Sequence, residues 1–216
     1  MRRLLLLAAI CLMCAERAFA QSKEPIAPLV FDLRGAFPLL NTDPVTAEGL
    51  GVDAASLPGH AIGLFTGLQL YPLRRGGFAF GIGGELFIAN ASDQLTDENT
   101  GQAIAPQVKR RFRSLSGQIS LNFGHSTGWS YITAGVGPVA FDTYLVPLGT
   151  TTAPDPDGLR PLTQNFGFGA RWFTNKHMAF ELDLRFYLTV PANPTAIVGG
   201  RERANVVVMS AGIGLK

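Results

Sequence analysis

Cysteine is nearly absent from this chain, and both copies, Cys11 and Cys14, fall within the first twenty residues. Beyond that point there are no thiols, so neither a disulfide frame nor a cysteine metal site is available. Histidine is almost as scarce. Its three copies, His60, His125 and His177, are scattered and lack the close spacing of a transition-metal site, so no metal and no cofactor is expected. Charge is low as well: Asp, Glu, Lys and Arg make up 16% of 216 residues, against about 25% in an average soluble domain. There is no basic stripe of the kind a nucleic-acid partner requires. Long apolar runs are missing after the N-terminus, which excludes a helical membrane span there.

Residues 1–20 read as a secretory signal to be cleaved. Arg2 and Arg3 form the charged start, residues 4–13 the apolar core, and Ala18-Phe19-Ala20 the small-x-small cleavage site. Cleavage removes Arg2, Arg3, Arg17 and Glu16, which brings 18 basic and 16 acidic residues to parity. What remains, 21–216, has the length of one domain.

What the chain has in quantity is alternation. In residues 165–189, Phe180, Leu182, Leu184, Phe186 and Leu188 share one parity, while Glu181, Asp183, Arg185 and Tyr187 share the other. Successive side chains of a strand point to opposite faces, so this is strand patterning. The residues before it alternate too, and the polar link Thr174-Asn175-Lys176-His177 closes a hairpin. The same two-residue period recurs over 29–37, 61–73, 78–89, 115–123 and 129–141, and again from Val207 to Leu215. Pro138 is expected at a bulge or near the end of its strand.

The prediction is therefore all-β: an eight-stranded antiparallel up-and-down transmembrane β-barrel. The connections alternate long and short, as in outer-membrane barrels, where short turns face the periplasm and long loops face outside. The long ones are expected as polar loops over 41–58, 90–109, 146–161 and 191–203. Tyr71, Phe78, Phe123, Trp129, Tyr131, Trp172 and Phe173 lie near the short turns and are expected to form an interfacial aromatic girdle. Localisation to the outer membrane follows.

Three segments carry a resemblance to a known family: GLQLYPL at 67–73, GWSYITAGVG at 128–137 and FGFGARW at 166–172. Together they resemble the outer-membrane β-barrel domain family, small eight-stranded barrels similar to the membrane domain of outer-membrane protein A. The resemblance covers most of residues 21–216 and implies architecture rather than activity. Such chains often end in an aromatic residue, whereas this one ends Leu215-Lys216.

The inward parity collects Asp32, Arg34, Glu85, Arg171, Glu181, Asp183 and Arg185. Four acids and three bases in a barrel just wide enough for side chains to fill are expected to form a paired, structural lumen network. His125-Ser126 invites comparison with outer-membrane lipid A deacylases. Adjacent strand residues face opposite ways, however, and this pair falls in a short turn, so no catalytic residue is assigned. The acids Asp93, Asp97, Glu98, Asp155 and Asp157 lack the spacing of a calcium loop and are read as solvated. The expected role is structural or surface-interacting, through four extracellular loops whose ligand the sequence does not name. Expected partners are outer-membrane lipid, lipopolysaccharide and the barrel-assembly machinery, with the protein a monomer. The alternatives are a lipid-modifying enzyme, a small-solute porin or a soluble lipocalin-like carrier.

Overall fold

The computed structural model describes residues 25–96, 101, 103–146, 160–191 and 205–216. The expected signal segment, 1–20, and the loop acids Asp97, Glu98, Asp155 and Asp157 lie outside the described residues. Eight antiparallel strands close into one barrel: β1 (Leu29–Leu39), β2 (Ile62–Arg75), β3 (Phe78–Thr96), β4 (Ala103–His125), β5 (Gly128–Val146), β6 (Leu162–Phe173), β7 (Met178–Leu188) and β8 (Asn205–Leu215). Each strand pairs with its sequence neighbour, and β1 pairs with β8 from Phe31↔Leu215 to Leu39↔Val207. Closure leaves no free sheet edge along the wall.

The short links are tighter than the sequence suggests. Gly76-Gly77 joins β2 to β3 and Ser126-Thr127 joins β4 to β5, so Arg74, Arg75 and His125 belong to strands. Gly76 has φ +58°, a left-handed conformation that costs glycine little. Between β6 and β7, the Asn175 carboxamide oxygen accepts from the backbone N–H of His177 and Met178.

The expected loop 90–109 is strand over 90–96 and 103–109. β3 and β4 run on as a paired ribbon through Ser92↔Lys109 to Thr96↔Ala103, and β5 follows β4 up to Val146. Cross-strand hydrogen bonding and side-chain pairing continue the sheet although the sequence there is polar. The expected loop 41–58 contains α1 (Pro44–Leu50) and a 3-10 turn (Ala54–Ser56). Asp43 caps α1 by accepting from Val45 N at 3.0 Å and from the Thr46 hydroxyl at 2.7 Å.

The prolines divide. Pro138 stands exposed in mid-β5 and does not end it. The β4–β5 register passes over Gly137 and Pro138 without slipping, and β6 begins to pair at Pro138↔Leu162. Register shifts lie instead between Leu70 and Leu73 of β2, beside Pro72, and between Gln94 and Thr96 of β3.

Candidate functional site: a closed ionic lumen

Strand parity sends all seven predicted charged residues inward, and all are buried. Arg34, on β1, sits at the centre. Its guanidinium donates to Glu85 on β3 at 2.5 Å, pairs with Asp183 on β7 at 2.9 Å, and lies 3.2 Å from Asp32. Arg171, on β6, bridges Asp32 and Glu181 at 2.9 Å each and donates to the Tyr71 hydroxyl at 2.7 Å. Arg185 pairs with Glu85 and, at 3.3 Å, with Asp183. Tyr131 closes the ring by donating its hydroxyl towards Glu181 at 2.5 Å and Asp183 at 3.1 Å.

Two features let so many long side chains fit. Glycine stands beside the bulkiest of them: a Cβ on Gly67 would lie 2.9 Å from Asp32, and one on Gly169 would meet the Tyr131 ring and hydroxyl. The β4 wall supplies short polar groups that hydrogen-bond with one another and with Asn165 of β6. Asn122 donates to the Ser120 hydroxyl at 2.8 Å, and Gln118 donates to Ser116 at 2.7 Å and to Asn165 at 3.0 Å. The charges and side chains leave a cavity of about 10 Å³. That is at the lower limit for a single water, roughly 10–15 Å³.

Above and below the charges the lumen is apolar. Towards the long-connection end Phe65, Phe87, Phe112 and Tyr187 stack across it, with Phe65 and Phe87 centroids 4.0 Å apart. Towards the short-turn end Ile26, Val30, Tyr71, Trp129 and Tyr131 fill it. Loop 41–58 then covers the long-connection end, with Ala47 and Leu57 packed on Val108 of the β4 extension. Arg110 ties both ends of that loop down by donating to the carbonyls of Asn41 and Pro58, each at 3.0 Å.

Tyr71, Trp129 and Tyr131 correct the aromatic-girdle prediction. They are 2–3% exposed and belong to the lumen, Tyr71 and Tyr131 as hydrogen-bonding members of the ionic layer. Their parity signals this, since Tyr71 falls on the face of Phe65 and Gln69. Arg110 and its tether gave no comparable signal in sequence. His125 and Ser126 lie at the β4–β5 turn, where the Ser126 carbonyl accepts from Lys216 Nζ at 2.6 Å. Phe78, Phe123 and Trp172 remain outside, Trp172 stacked on Phe180.

The opposite parity is apolar and open. Leu115 is 59% exposed, Ile119 53% and Phe168 52%, and Leu, Ile, Phe, Val and Met occupy the outward positions of all eight strands. A closed barrel with ions within and hydrocarbon without is inverted relative to a soluble carrier, and only lipid makes such an exterior favourable. The chain is an outer-membrane β-barrel. No family model matches its sequence, and no curated protein does. Among solved structures it is similar to Neisserial surface protein A, with 9% identity, 88% of this chain and 97% of that one covered, and a TM-score of 0.47. It is also similar to Ail, the attachment invasion locus protein of Yersinia pestis, in complex with the heparin analogue sucrose octasulfate, at 8% identity, 89% and 98% coverage and a TM-score of 0.48. The outer membrane protein AlkL in DMPC lipid bilayers is 14% identical, with 90% and 92% coverage and a TM-score of 0.42. Likeness at this level carries no argument about what this barrel does.

Proposed function

We propose that the protein is a non-conducting, monomeric barrel with a structural or surface-interaction role, working through the end that carries the long connections. One observation supports this above all: the cavity among Arg34, Arg171, Arg185, Asp32, Glu85 and Glu181 holds only about 10 Å³. A continuous water path would have to break buried ion pairs, each costing several kcal/mol when one partner is stranded. The aromatic layer and the loop fastened by Arg110 stand in the same path. The barrel-assembly machinery inserts it, and lipid and lipopolysaccharide surround it.

The test is steady conductance of the refolded protein in planar bilayers. Negligible current at moderate voltage is expected, and large, stable single channels would restore the porin reading. Turnover of lipid A or phospholipid by the same preparation, lost on substitution of one named side chain, would replace the structural role with an enzymatic one.

A further inference from the structure

The outward face of β4 changes character at one point. From Phe123 up to Leu115 its outward side chains are apolar, and beyond Leu115 come Arg113, Arg111 and Lys109 at successive outward positions. Outward residues on one strand repeat about every 7 Å, so the three cations form a row of roughly 13 Å at the rim of the hydrocarbon band. Their cross-strand neighbours are Ile88, Asn90 and Ser92 on β3 and Ala140, Asp142 and Tyr144 on β5. Among these described neighbours Asp142 is the one carboxylate, so the row is net cationic. Tyr144 lies under Arg111, with the guanidinium carbon 5.7 Å from the ring centroid, which limits the arginine's freedom. Asn90, Ser92, Lys109, Arg111 and Tyr144 border a polar hollow of about 300 Å³.

A second hollow lies further down the same strand. An apolar groove of about 760 Å³ runs over Gly117, walled by Leu70, Ile82, Ile119, Val136 and Phe166. It exists because Gly117 brings no side chain to an otherwise bulky face. A Cβ there would meet nothing nearer than the Val136 carbonyl at 4.0 Å, so the space is open rather than required by close packing. Gly117 is four residues below Arg113, about 13 Å along the strand. A row of cations above an apolar groove is the chemistry of an amphiphile: phosphates at one end, hydrocarbon at the other.

We propose that this face binds a membrane lipid carrying two phosphate groups, with its phosphates on Lys109, Arg111 and Arg113 and an acyl chain in the Gly117 groove. A row of three cations is too long for one phosphate to span, whereas two phosphates give each arginine a charge-assisted partner. The acyl chain fixes which face the lipid occupies. The site is independent of whether the lumen conducts, so a conducting barrel would leave it standing.

The experiment is native mass spectrometry of the whole refolded protein in micelles titrated with diphosphoryl lipid A, monophosphoryl lipid A or phosphatidylglycerol. One diphosphoryl lipid should be retained at least tenfold more tightly than either other lipid. K109A/R111A/R113A should reduce that preference at least tenfold. Gly117→Leu, which fills the groove without strain, should weaken retention severalfold while heat-modifiable gel migration stays that of the parent. Equal retention of the three lipids by the parent overturns the proposal, and that reading needs no variant to fold. Unchanged binding by either folded variant overturns it too, as does displacement of the lipid by inorganic pyrophosphate at the lipid's own concentration.

Discussion

Arg171 reaches Asp32 across 139 residues of chain and Tyr71 across 100. Such contacts have no local signature. Parity places Arg171, Asp32 and Tyr71 inside the barrel, but which acid meets which base depends on strand order and register around the whole wall. Arg185 shows the difference. Sequence spacing offers Asp183 and Glu181 as partners, whereas the folded chain gives Arg185 to Asp183 and Glu85, and gives Glu181 to Arg171 and Tyr131. Removing Arg185 leaves Glu85 and Asp183 to share the single guanidinium of Arg34 in a lumen with little room for solvent. Arg185→Ala should therefore destabilise the barrel by about 3–5 kcal/mol, measured by urea unfolding in lipid vesicles. Adding Glu85→Gln should recover part of the loss, and adding Glu181→Gln should recover none. An Arg185→Ala barrel as stable as the parent would mean that the lumen is wetter than its geometry allows.

At the scale of the element, alternation was the legible signal, because facing depends on one residue and its neighbours alone. It located the eight strands and assigned their faces. It did not reach the β3–β4–β5 extension, where both faces are polar enough to look like loop. There the strand state is set by pairing with the neighbouring strand, and the inward side chains are covered by the folded 41–58 segment. Face assignment makes a sharp prediction within β7. Leu184 points outward between Phe168 and Met209, and Leu184→Arg puts charge against hydrocarbon in mid-span, at about 2–4 kcal/mol. Insertion should fail or slow markedly, seen as loss of the heat-modifiable band. Ser120→Ala faces the lumen and removes only the acceptor of one Asn122 hydrogen bond, about 1 kcal/mol. Insertion of the arginine variant like the parent would reverse the faces.

For the molecule as a whole, the long and short connections segregate to opposite ends, with Gly76-Gly77, Ser126-Thr127 and 174–177 at one end and 41–61 at the other. If the short-turn end is periplasmic, cysteine at Ala55, on the exposed 3-10 turn, should react with an impermeant thiol reagent on intact cells. Cysteine at Lys176 should react only after the outer membrane is opened. The opposite labelling pattern would invert the orientation.

The sequence by itself determined the period of the strands, the apolar and ionic faces, the strand number and the membrane as solvent. Each of these is local or a sum of local preferences. Only the tertiary structure decided which lumen charges pair, that Tyr71, Trp129 and Tyr131 help to fill the lumen, that Arg110 pins a helical cap, and that three cations stand over an apolar groove on one outer face. These depend on register accumulated over eight strand pairs and on the closure of β1 against β8. A one-residue slip in any pair would reverse the faces beyond it, and no single segment of sequence encodes that sum.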